Sequence, residues 1–288
     1  MESPLVKSQV DQSKTVMLFI LAMSLSGLEN LVAEIIPELQ IGPIEVGISS
    51  FIFIPIMLCI LFDNIWVALA APIGEIVFAD LLLGEFGGLG EFEEVILLTV
   101  GLYIAGKVVK DPTNRKQLLM AALIGFGFEG IASTIIDISK VWVGIEELEA
   151  VAGLPESIFI IESIDFLVEL IVTGIIFGII PTLYFVPKFY GKLEPLLGIK
   201  PRKINDTSSS LSPAIVFGAV IAVVLGAAVA FAAEMGVTLI EWEGEFLDKF
   251  GDNFIWVPIA AAALVVLITF IIGKQKGKVK GTKATEEV

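Results

Sequence analysis

Apolar runs about twenty residues long recur along the whole chain, and a run of that length matches the ~30 Å hydrocarbon core of a bilayer. They fall at approximately 15–39, 47–63, 65–84, 92–109, 116–138, 157–187, 213–236 and 253–273. Hydrophobic residues make up 56% of the chain and the mean hydropathy is +0.91, far more apolar surface than a soluble domain of this size can use. No stretch alternates long enough to read as a barrel strand. These runs predict an all-α, polytopic transmembrane helix bundle of about eight spans in a cell membrane. The second and third spans are separated only by Asp63 and Asn64, so they form a tight helical hairpin.

Basic residues orient the bundle, because Lys and Arg collect in cytoplasmic loops. With the N-terminus inside, the cytoplasmic segments hold Lys7 and Lys14, then Lys107, Lys110, Arg115 and Lys116, then Lys188, Lys192, Lys200, Arg202 and Lys203. The C-terminal tail adds Lys274, Lys276, Lys278, Lys280 and Lys283, which makes 16 of the 18 Lys and Arg. Only Lys140 and Lys249 fall elsewhere. The outer connections are acidic, with Glu85, Glu91, Glu93 and Glu94, then Glu146, Glu147 and Glu149, then Glu241, Glu243, Glu245 and Asp248. An even number of spans with both termini inside satisfies every loop. The polar opening MESPLVKSQVDQSK does not read as a cleaved signal peptide.

Against that background, acidic residues inside the spans stand out. The run from Ser157 to Pro181 carries Glu162, Asp165 and Glu169 at spacing i, i+3, i+7, which places all three on one helix stripe. A charge at membrane depth costs about 2.5–3.5 kcal/mol on insertion scales, so the stripe must face protein or water. Helix-end caps account for Glu38, Asp137 and Glu162 but less easily for deeper groups. The first span carries Glu29, Asn30 and Glu34, the third Glu75 and Asp80, and the fifth Glu129. The expected site is therefore Glu29, Asn30, Glu34, Glu75, Asp80, Glu129, Glu162, Asp165 and Glu169, from mid-membrane to the outer face. No Lys or Arg in the spans is placed to pair with them, and an anionic cluster without a counter-charge calls for a cation, a proton or water.

Pro55 and Pro72 lie inside spans and free backbone carbonyls, which protein or a watery cavity must satisfy. Gly125, Gly127 and Gly130 flank Glu129 and permit close helix approach. Pro181 is expected to kink the sixth span below its acidic half. In the seventh span Gly218, Ala222, Gly226 and Ala230 repeat at i+4, a small-residue stripe that lets another helix come close. The basic tail KQKGKVKGTK orients the chain or attracts anionic lipid.

Several function classes are disfavoured. A net charge of −15 argues against nucleic-acid binding. Histidine is absent, which removes the commonest metal ligand and proton shuttle. The single cysteine, Cys59, lies in an apolar run and reads as packing. No Ser or Cys has a base arranged beside it, so an enzyme is not expected, and no cofactor is. EFGGLGE at 85–91 is not a phosphate loop, and no nucleotide motif supplies ATP energy from this chain.

Residues 15–190, with six spans, a polar site toward the outer face and a short outer loop at 40–46, resemble the substrate-binding S component of energy-coupling-factor transporters. The third helix, within LFDNIWVALAAPIGEIVFADLLLGEFGGLGE, is similar to that family's in its small-residue segment followed by an acidic residue. The resemblance implies that Gly74, Glu75 and Asp80 border the ligand. It also implies that Ala22 and Ser26 meet a coupling subunit, which would bring ATPases. It divides the chain into a six-helix domain at 15–190, a cytoplasmic linker at 191–212, a two-helix appendage at 213–273 and a cytoplasmic tail at 274–288. The two extra spans depart from the family's usual six.

The expectation is a membrane solute-binding and uptake protein with an outward-facing acidic site for a small cationic solute or metal ion, energised by a partner ATPase. A proton- or cation-coupled secondary transporter and a non-transporting membrane scaffold are the alternatives.

Overall fold

A computed structural model describes residues 4–37, 39–41, 44–84, 86–145, 154–204 and 211–237, with isolated positions between 256 and 267. Glu38, the acidic outer segments at 146–149 and 241–248, most of the expected eighth span and the basic tail lie outside the described residues.

Helices dominate the described chain, with one small hairpin and short loops between them. Helix α1 spans Pro4–Glu34. Strands β1 (Leu39–Ile41) and β2 (Ile44–Val46) then pair antiparallel, with Leu39 opposite Val46. Helices α2 (Phe53–Phe62), α3 (Ile65–Leu83), α4 (Glu91–Val108), α5 (Arg115–Val143) and α6 (Ile158–Phe189) follow. A single turn, α7 (Leu193–Leu196), precedes α8 (Pro213–Glu234). Among the described residues, five segments are long and apolar enough to cross a membrane: Gln12–Glu34 of α1, then α3, α5, α6 and α8. Their outward faces carry exposed apolar side chains, including Ile135 on α5, Ile171 and Ile180 on α6, and Phe217, Val220 and Val224 on α8. Soluble monomers rarely expose such belts, and a multi-pass membrane protein needs them.

Local chemistry sets the helix boundaries. Asp63 ends α2 in the left-handed region at φ 46, and the Asn64 side chain then accepts the Trp66 N–H at 3.0 Å to start α3. Asn114 accepts the N–H groups of Lys116 and Gln117 at the start of α5, and Gly144 at φ 75 closes it. Ser212 and Pro213 open α8. The apolar core between α1, α2, α3, α4 and α5 is built from buried residues such as Leu21, Leu58, Ile60, Ala68, Leu102 and Leu118.

Several expectations need correction. The second span does not run as a helix over 47–63. Only Phe53–Phe62 is helical, and Gly47–Phe51 has no regular structure. A ten-residue helix covers about 15 Å, half the hydrocarbon thickness. The break is satisfied from within: the Ser49 N–H donates to Thr173 Oγ1 at 3.1 Å, and the Phe51 N–H donates to the Glu29 carboxylate. Irregular backbone at membrane depth is tolerated only where protein or a cavity surrounds it.

The linker at 191–212 is not a plain boundary, because its first half docks on the base of the bundle. Arg202 donates to the carbonyls of Ile60 at 2.8 Å and Gly106 at 3.0 Å, while Tyr190 donates to the Arg202 carbonyl at 2.7 Å. The guanidinium thus caps the C-terminal ends of α2 and α4, where helix carbonyls lack partners. It also reaches Asp63 at 3.7 Å, and Lys107 pairs with that carboxylate at 2.9 Å.

Ala22 and Ser26, assigned to a coupling subunit by resemblance, are buried by the chain's own helices and offer no docking surface. Of the α8 stripe, Ala222, Gly226 and Ala230 are buried, with Gly226 against Leu97 of α4, whereas Gly218 faces open space.

Candidate functional site

The site begins where α1 and α3 cross. Gly27 and Gly74 meet backbone to backbone. A Cβ on Gly27 would collide with the Gly74 carbonyl oxygen, and one on Gly74 with the Met23 carbonyl oxygen. Only glycine allows this approach. It brings Glu29 and Asn30, just after Gly27, beside Glu75, just after Gly74.

Two of the carboxylate-bearing helices, α3 and α6, change winding at the site. In α3 the segment Ile76–Asp80 is π-helical, and in α6 the segment Leu170–Ile179 is. Each wide segment starts immediately after a glutamate of the site, Glu75 in one and Glu169 in the other. The α6 segment ends just before Pro181, whose ring crowds the carbonyl four residues earlier and favours a wider turn there. At the place where Pro181 predicted a kink the helix is π-wound, and such segments recur at functional sites.

These elements enclose a cavity of about 280 Å³. Six glutamates from five helices line it: Glu29 and Glu34 of α1, Glu75 of α3, Glu94 of α4, Glu129 of α5 and Glu169 of α6. Ser26, Asn30, Ser49 and Ser50 add hydroxyl and amide groups, and among the described residues no Lys or Arg lines it. A second cavity of about 380 Å³ shares Ser49, Glu129 and Glu169 with the first. Its wall also carries Asp137, Glu162 and Asp165. Carboxylates therefore run from one chamber to the next, with Glu129 and Glu169 between them.

Of the nine expected residues, Glu29, Asn30, Glu34, Glu75, Glu129 and Glu169 line the inner cavity, while Glu162, Asp165 and again Glu129 and Glu169 line the outer one. Asp80 lines neither. The α6 stripe converges as its spacing implied. Gly125 packs on Ile56 and Gly130 on the Phe166 ring, but a Cβ on Gly127 would meet nothing. Glu94 was missed, because its place among Glu91 and Glu93 read as an acidic outer loop. Ser49 and Ser50 were missed because the second span read as continuous helix; the GISS sequence ahead of an apolar run was the available signal.

One charge also falls differently from expectation. Lys140 of α5 is buried and pairs with Asp137 at 2.7 Å, and it lies 3.7 Å from Glu234 of α8. A basic residue does therefore neutralise acidic groups at this end of the bundle. It lies beside a further cavity lined by Glu93, Glu94 and Glu129, and it does not line the inner one. Among the described residues, no group of three or more Asp, Glu or Cys is arranged to hold a metal ion.

A family model described as a family of unknown function (DUF8171) matches residues 17–282. No curated protein and no solved structure matches the chain.

Proposed function

The chain belongs to the DUF8171 family, and we propose that it is a multi-pass membrane protein that binds a small cationic solute from the outer side and carries it across. The observation that supports this reading best is the inner cavity, where, among the described residues, six carboxylates from five helices face one space without a basic residue. Carboxylates withdrawn from water are costly unless paired, and a cation entering the cavity would pair them. Scaffolding alone gives no reason to gather them. This reading keeps eight spans with both termini inside, the second being a half-helix preceded by irregular chain.

The energy source admits two readings. A partner ATPase follows from the resemblance to an S component, although Ala22 and Ser26 do not provide the docking surface. A secondary transporter is favoured by the interrupted second span and the two π segments, since discontinuous helices at mid-membrane build the sites of such proteins. Uptake into ATP-free proteoliposomes under a proton or sodium gradient separates them: gradient-driven uptake supports the secondary transporter, and its absence the ATPase partner.

The binding test is isothermal titration with Glu169→Gln, which keeps shape and removes one charge from both chambers. Cation binding should be lost while the fold persists. Equal affinities for wild type and variant would reduce the acidic cavity to architecture. A ligand at 100 times its Kd should also stabilise the wild type by about 2.7 kcal/mol.

A further inference from the structure

We infer that the inner cavity takes a primary or secondary organic amine, of the linear diamine or polyamine class, with Asn30 and Ser26 accepting its N–H groups. This rests on the cation-binding reading and names the ligand class. Two side chains other than the carboxylates carry it. Asn30 is 4% exposed and Ser26 1% exposed, and both line the cavity. Among the described residues, the Asn30 Oδ1 and Ser26 Oγ atoms have no hydrogen-bond partner. They lie four residues apart on α1 and so share one helix face.

An amide oxygen only accepts hydrogen bonds, and a buried acceptor without a donor is unfavourable. It needs an N–H or O–H from the occupant. A quaternary ammonium ion has no such donor and is held instead by aromatic faces. Among the described residues, Phe126 is the one aromatic residue that lines the inner cavity. A bare metal ion needs several ligands gathered at one point. Among the described residues no such group exists, and the glutamates approach from five different helices. A protonated primary amine carries three donors and one diffuse charge. It can satisfy Asn30 and Ser26 while its charge meets Glu75, Glu129 or Glu169.

The second chamber argues for more than one ammonium group. It joins the first at Ser49, Glu129 and Glu169 and continues to Asp165 and Glu162. Charges spaced along a flexible chain match carboxylates spaced along a path. At 280 and 380 Å³ the chambers lie near the lower end of the roughly 300–1,000 Å³ range of ligand pockets, which suits slender molecules.

The experiment is a titration of the purified full chain with putrescine, spermidine, butylamine, tetramethylammonium, magnesium and manganese. It is repeated on Asn30→Leu, which removes the acceptor at similar volume, and on Glu169→Gln. Putrescine or spermidine should bind more tightly than butylamine, and tetramethylammonium and the metals should not bind. Asn30→Leu should weaken the diamine about tenfold or more, with thermal stability of the empty protein kept. Should Asn30→Leu fail to fold, Asn30→Asp retains an acceptor and should bind the diamine, while Ser26→Ala should weaken it. A metal or quaternary ammonium ion that binds in a Glu169-dependent manner would overturn the amine inference and leave the cation reading standing. Diamine binding unaffected by both Asn30→Leu and Ser26→Ala would overturn it as well. No binding by any probe would remove both.

Discussion

At the scale of single residues, Glu194 shows how burial acts on a charge far from the acidic cavities. It lies on α7 at the basic end of the bundle and is 0% exposed. Neither carboxylate oxygen has a hydrogen bond of good geometry. Burial holds its carboxyl above the ordinary value of 4.5, and the backbone N–H groups of Glu194 and Gly191 offset part of that. A carboxyl that holds its proton more tightly folded than unfolded favours the folded state below the ordinary value. That contribution is lost as pH rises through the raised folded value. Glu194→Gln removes the ionisation and should raise Tm at neutral pH by a few degrees. The gain should vanish in melts taken below pH 4.5. A gain of equal size at all pH values would mean that burial of this charge is not the cause. Nothing in GKLEPL singles out this glutamate, since its burial depends on the linker folding back around Arg202.

Among the elements, the α1–α3 crossing decides the most. Gly74→Val would drive a branched side chain into the Met23 carbonyl, and overpacking costs about 1–3 kcal/mol or more when backbone must move. It should lower Tm and also abolish ligand binding, because the crossing positions Glu29, Asn30 and Glu75. Gly218→Val on α8 is the control, since a Cβ there meets nothing and stability should be unchanged. Gly226→Leu should fall between them, because the atoms nearest a Cβ there belong to the Leu97 and Glu93 side chains and not to backbone. Stability of Gly74→Val equal to that of Gly218→Val would show that the close crossing is not needed. Helix positions were legible in the apolar runs, and the α6 stripe in its spacing. The interruption at Gly47–Phe51 was not, because its polar residues sit beside an apolar run and its hydrogen-bond partners, Glu29 and Thr173, come from distant elements. The π segments were equally hidden, since a shift in hydrogen-bond register leaves composition unchanged.

For the whole molecule, the two ends differ in chemistry. Arg202, Lys107 and Asp63 tie α2, α4 and the linker together at one end, and the carboxylate chambers lie toward the other. Cysteines introduced at Leu89 and Glu156 should react with a membrane-impermeant thiol reagent in intact cells. One at Lys200 should react only after permeabilisation, and native Cys59 is buried and should contribute little. The reverse pattern would invert the assigned orientation. Sequence alone determined the helical class, the apolar runs that most helices follow and the distribution of charge along the chain. Lipid imposes those properties locally, through the length of each apolar run and the cost of each Lys or Arg. It also placed six of the cavity's polar residues, Glu29, Asn30, Glu34, Glu75, Glu129 and Glu169, among its candidates. That these meet in one space, that Glu94, Ser26, Ser49 and Ser50 join them, and that Asp80 does not, only the tertiary structure decided. The rotation and depth of each helix follow from contacts far apart in the chain, above all the backbone contact of Gly27 with Gly74, and composition does not record them.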